Sequence, residues 1–149
     1  MHISWSFLDK RKATIEAIES YDDMAFIIDH TDEELAEVKN KMLGVGSPNM
    51  DGLPRAHNPK AGEERLVNAI AEIDLLKERY RQAVEYMDWF KPAWGKLTED
   101  EQFCLESFYM GGECASQTIQ DELNISQSGA YNKKNRALNH LTKLLYGKA

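Results

Sequence analysis

Six side chains that could read a nucleic acid sit within eleven residues: Ser126, Gln127, Ser128, Asn132, Lys133 and Arg136. Gln and Asn amides can pair bidentately with adenine, and Arg and Lys with guanine or with phosphate. The charge around them is segregated. Residues 126–149 carry five basic side chains (Lys133, Lys134, Arg136, Lys143, Lys148) and no acid. Residues 98–125 carry seven acids (Glu99, Asp100, Glu101, Glu106, Glu113, Asp121, Glu122) and no Lys or Arg. The chain as a whole has a net charge of −7, so a cationic tail creates one face that attracts phosphate while the remainder repels it. Nucleic-acid binding is the leading idea this pattern gives.

The elements that must position these residues are helical. Thr98 suits an N-cap and Glu101 completes a capping box, starting a helix that runs to about Met110 with Phe103, Cys104, Leu105 and Phe108 turned inward. Gly111-Gly112 stops it. A short helix over Ala115 to Leu123 places Ile119 and Leu123 on one face. Asn124-Ile125-Ser126 then turns the chain, and Ser126 caps a third helix to about Tyr146. Its expected inward face is Ala130, Ala137, Leu138, Leu141, Leu144 and Leu145. A short helix, a tight turn and a longer cationic helix are the parts of a helix-turn-helix, in which the first turns of the second helix enter the major groove. Small Ser128 and Gly129 would let the backbone approach the duplex there, and the helix N-terminus itself favours a phosphate. Cations near a helix C-terminus offset its dipole, which accounts for Lys143 and Lys148. Lys133, Lys134 and Arg136 lie in the first half of the helix, where the dipole gives no such reason.

Upstream, the fold class expected is all-α: a long antiparallel helical hairpin or coiled coil over residues 1–96, followed by the three-helix unit over 97–149. Tyr21, Met24, Ile28, Thr31, Leu35, Val38 and Met42 alternate three and four apart. Leu8, Ile15 and Ile18 follow a shifted phase, and Thr31-Asp-Glu-Glu34 has a capping-box pattern, so one bent helix or two shorter ones both fit. Residues 44–61 hold three of the four prolines and read as a loop. From about Gly62 to Phe90, Leu66, Ala69, Ile73, Leu76, Tyr80, Ala83, Met87 and Phe90 hold a second apolar stripe, which an antiparallel partner or a second copy would cover. Pro92, Trp94 and Gly95 are expected to end this rod, with Trp89, Phe90 and Trp94 forming an apolar joint.

Other functional classes find little support. No apolar run approaches the roughly 18–20 residues of a membrane span, and Met1 to Leu8 runs into Asp9-Lys-Arg-Lys12 too soon to be a secretory signal. A soluble, cytoplasmic protein is expected. Cys104 and Cys114 read as small buried hydrophobes, and His2, His30, His57 and His140 lie too far apart for metal-ligand spacing, so no metal and no cofactor are expected. No Gly-rich phosphate loop or nucleophile elbow points to an enzyme.

Residues 97–145 resemble region four of sigma-70-type factors, through Leu123-Asn-Ile-Ser126, Ala130-Tyr131 and Arg136-Ala-Leu138-x-x-Leu141. With Met50-Asp-Gly-Leu-Pro54 set between two long helices, the whole chain resembles the ArpU-type regulators encoded by phages and prophages of Gram-positive bacteria. The resemblance implies sequence-specific binding near a promoter of phage or prophage genes, with Ser126, Gln127, Ser128, Asn132, Lys133 and Arg136 facing DNA. Gln120, Cys114 and Lys134 depart from the usual pattern and bear on how the two helices dock. Two other readings fit the same parts: an adaptor that binds RNA polymerase through the helical rod, and a small terminase-like DNA-packaging subunit.

Overall fold

The computed structural model describes residues 8–44, 59–111 and 114–147, and every regular element among them is helical. Most of the expected 44–61 loop, including Met50 to Pro54, lies outside the described residues, as do Gly112, Glu113 and Lys148. In chain order the elements are α1 (Lys10–Glu19), α2 (Tyr21–Gly44), α3 (Pro59–Gly95), α4 (Glu99–Leu105) with a π-helical continuation over Glu106–Met110, α5 (Ala115–Leu123) and α6 (Gln127–Tyr146). No described helix is long and apolar enough to cross a membrane.

Two features of the long helices differ from the sequence reading. The break in the first helical region falls at Ser20, not at Thr31: Asp9 caps α1 through Lys12 N, and Ser20 closes it with its backbone N–H on Glu16 O. Thr31 lies buried in the middle of α2, where its hydroxyl donates to Ile27 O instead of capping a new helix. The rod also does not stop at Phe90. It passes through Pro92 to Gly95, about 55 Å at 1.5 Å per residue. Pro92 and Asp88 both lie on the exposed side, so water can take the carbonyl that loses its i+4 donor, while Phe90, Ala93 and Leu97 bury on the other side.

The chain forms two compact units, Met24–Glu85 and Met1–Asp23 with Tyr86–Ala149. The first is an antiparallel helix pair. Glu34 of α2 meets Arg79 of α3 at 3.7 Å, and Val38 and Met42 share a groove with Leu66 and Ala69. Along this unit the α2 stripe is buried or half-buried throughout, whereas the α3 stripe is covered only in part: Leu76 is buried, but Leu66 is 49% and Tyr80 39% exposed.

The second unit is larger than the expected 97–149 domain, because α1 and the last turns of α3 pack into it. Ala17 and Ile18 of α1, Phe90, Ala93 and Leu97, Leu105 of α4, and Ala137, Leu138, Leu141 and Leu145 of α6 make one continuous core. The expected apolar joint is an aromatic comb at i, i+4 spacing. Tyr86 stacks on Phe90 with centroids 5.3 Å apart, and Phe90 stacks on Trp94 at 5.6 Å. The Tyr86 hydroxyl donates to Ala17 O. Burial first, then the neighbouring Tyr21, Asp22 and Tyr146, pushes its pKa well above the ordinary phenol value. Thr142, absent from the expected inward face, is fully buried, while Leu144 is 38% exposed.

A second, smaller core of Cys104, Ile119 and Ala130, flanked by Phe103, Phe108, Leu123 and Ile125, binds α5 to α4 and α6. The π-helical turn lets consecutive residues serve both cores: Phe108 packs on the small one, Tyr109 and Met110 on the large one. Gly111 follows because a Cβ there would sit 2.8 Å from Ser107 O. Cys114 is exposed rather than buried, in a left-handed conformation (φ 66°) just ahead of α5.

Candidate nucleic-acid interface

The Asn124-Ile125-Ser126 turn has the expected form. Asn124 adopts φ 52°, a conformation Asn tolerates better than most residues, and sends its N–H back to Gln120 O. Ser126 returns to extended backbone and its hydroxyl accepts from Gly129 N at 3.1 Å, starting α6. Ile125 tucks between the helices against the small core. The short helix, turn and long helix are therefore fixed by one left-handed residue, one cap and one apolar plug.

On α6 the expected contact residues divide. Gln127, Ser128, Asn132 and Arg136 are exposed. Ser126 is exposed too, but its hydroxyl is occupied by the cap and lies 3.2 Å from Ser128 Oγ. Gly129 is half-buried, and a Cβ there would stand 3.2 Å from Ser126 Oγ and 3.4 Å from Ile125 Cβ. Its missing side chain therefore makes room for the turn, not for an outside backbone. Lys133 is half-buried: its ammonium lies 3.7 Å from Asp100 Oδ2 of α4, with both side chains still about half exposed (42% and 62%). An exposed pair of this kind contributes roughly 0–1 kcal/mol, so Lys133 remains able to exchange Asp100 for another anion.

The flank of α6 nearest α4 is shared with acids. Lys133 and Arg136 line a groove with Thr98, Asp100, Glu101 and Cys104. The capping box expected at Thr98 is present, with Glu101 N donating to Thr98 Oγ1 and Thr98 N donating to Glu101. Glu101 also holds His140 Nδ1 of α6 at 2.7 Å. Partial burial raises the Glu101 pKa, but the His140 and Thr98 hydrogen bonds and the His140 charge outweigh it and hold the carboxyl below its ordinary value. Burial pushes the Cys104 thiol up, and the side chain packs in the small core.

Two of the positions that depart from the sigma-70-type resemblance have their own packing. Gln120, half-buried, donates to Ser116 Oγ of its own helix at 3.1 Å. Lys134 lays its ammonium 5.1 Å from the Phe108 ring centroid and 5.6 Å from that of Tyr131, a cation–π arrangement that keeps a charged residue near the core face. The sequence reading missed Arg11 of α1, whose Nη2 donates to Asn135 Oδ1 of α6 at 2.7 Å. The only signal was the basic run Lys10-Arg-Lys12, and nothing local ties that run to residue 135.

No cluster of three or more His, Cys, Asp or Glu able to hold a metal occurs among the described residues. Comparison with protein-family models, with curated proteins and with solved structures finds no match to this chain.

Proposed function

We propose that the chain is a sequence-specific, double-stranded-DNA-binding transcriptional regulator of phage or prophage genes, reading the major groove with α6. The observation that carries this reading is the exposed face of that helix. Gln127, Ser128, Asn132 and Arg136 project from its first half beyond a tight turn, and α6 contains no Asp or Glu. Its amide and guanidinium groups have donors and acceptors left over for base edges, and the rest of the protein is acidic enough to confine DNA to this face. The test is selection from random duplexes by the purified protein, followed by anisotropy titrations on the selected site. Enrichment of a defined motif supports the reading, and failure to retain any duplex at low salt removes it.

A second reading is favoured by the Met24–Glu85 unit, where Leu66, Val67 and Ile70 are 49%, 64% and 48% exposed on one stretch of α3. Such a surface suits a protein partner, either RNA polymerase or a second copy of this chain. Recovery of polymerase with nuclease-treated host extract by the wild type but not by Val67→Glu would support the adaptor role. A concentration-dependent mass shift abolished by the same substitution would support the dimer.

A further inference from the structure

The three cations in the first half of α6 are not equally free to meet an anion. Lys134 is turned toward the Phe108 and Tyr131 rings. Arg136 is exposed and, among the described residues, makes no ion pair. Lys133 faces Asp100 of α4, 3.7 Å away. The neighbouring polar groups of that groove are occupied: Glu101 takes His140 and the Thr98 N–H, and the Thr98 hydroxyl takes the Glu101 N–H. Among the described residues Asp100 has no partner but Lys133. Its position is held by α4 itself. A carboxylate in the first turn offsets the positive end of the helix dipole, and Cys104, one turn on, is buried with Ala130 of α6 in the small core.

We propose that Asp100 competes with DNA for Lys133, so that the α4 carboxylate lowers the affinity of α6 for every duplex and leaves the choice of sequence to the base-facing residues. The competition rests on the DNA-binding reading and adds to it a limit on sequence-independent binding. A phosphate that hydrogen-bonds Lys133 stands about 2.8 Å from its ammonium. With Asp100 still in place, the two anions are no more than about 6.5 Å apart, inside the Debye length of about 8 Å at physiological salt. Salt therefore screens their repulsion only in part. If Lys133 swings outward instead, its contact with Asp100 is lost. Either route costs binding energy, and neither depends on base sequence, because phosphate contacts position a protein and base contacts specify.

The experiment compares wild type, Asp100→Asn, Lys133→Gln, the double variant and Glu99→Gln by anisotropy on the selected duplex and on a mixed-sequence duplex. Glu99 is an exposed acid of the same turn and, among the described residues, has no ion pair, so its variant reports the loss of one negative charge alone. Asp100→Asn should tighten both duplexes by the same factor, about two- to fivefold, the range an exposed ion pair supplies. In the Lys133→Gln background the same substitution should give no more than Glu99→Gln gives in the wild type. Unchanged or weaker binding by Asp100→Asn overturns the competition. So does a gain confined to one duplex, a gain of equal size with and without Lys133, or an equal gain from Glu99→Gln. Thermal melts of each variant separate these results from misfolding, and Asp100→Ser takes the place of Asp100→Asn if the latter melts early. If wild type binds neither duplex, the DNA-binding reading fails and the competition with it; if wild type binds and Asp100→Asn matches it, only the competition fails.

Discussion

The hydroxyls of Thr14 and Thr142 meet at 3.0 Å, both fully buried, and join α1 to α6 across 128 residues of sequence. Each hydroxyl also lies within hydrogen-bond distance of a carbonyl of its own helix, Lys10 O at 2.8 Å and Leu138 O at 2.7 Å. Buried polar groups are tolerated when they are satisfied, and these two satisfy each other. Thr142→Val should cost about 1–2 kcal/mol by leaving the buried Thr14 hydroxyl without its partner. A double-mutant cycle with Thr14→Val, read from denaturant midpoints, should show coupling; strictly additive losses would mean that the contact contributes nothing.

Phe90 is fully buried at the centre of the aromatic comb, with Tyr21 5.8 Å away and Tyr86 and Trp94 stacked on either side. Phe90→Ala should destabilise by roughly 3–5 kcal/mol through lost contact and residual cavity. Trp89→Ala, one residue earlier but 37% exposed, should cost clearly less. Equal losses in calorimetry would argue against the core placed here.

Asn124 occupies φ 52° between α5 and α6. Asn124→Gly should be nearly neutral, and Asn124→Val should cost about 1–2 kcal/mol because a β-branched side chain is strained in the left-handed region. Wild-type thermal stability in Asn124→Val would show that the turn takes another form.

Glu101 sets an acid limit. Its folded-state pKa is held below the usual carboxylate value, so its contribution is present above about pH 4.5 and is lost as pH falls through the lowered folded value. Glu101→Gln should therefore lower the melting temperature near neutral pH and flatten its decline below about pH 4.5. Parallel wild-type and variant curves through that range would remove the assignment.

On α6, Asn132→Ala and Arg136→Ala should each cost about 1–3 kcal/mol on the selected duplex and less on mixed sequence, if they read base edges. Lys133→Ala should act more uniformly, since a lysine released from Asp100 reaches phosphate more readily than bases. Uniform losses for all three would recast α6 as a backbone binder.

What could be read from sequence was local. The capping box at Thr98, the bounds of α5, the Ser126 cap and the apolar stripe of α2 depend on neighbours within one or two turns, and the structure contains them where the residue types ask for them. The exposed Gln127, Asn132 and Arg136 were legible for the same reason: helical periodicity assigns them a face opposite Ala137, Leu138 and Leu141. Tertiary packing decided what periodicity leaves degenerate. Ile18 and Leu8 carry the same apolar signal, yet only Ile18 finds a partner surface; Thr142 is buried because Thr14 satisfies it, and Pro92 stays helical because its carbonyl partner faces solvent. The pairing of Arg11 with Asn135 belongs to the same class. Nothing within a few residues of either signals it, because a contact across 124 residues exists only once α1 has docked on α6.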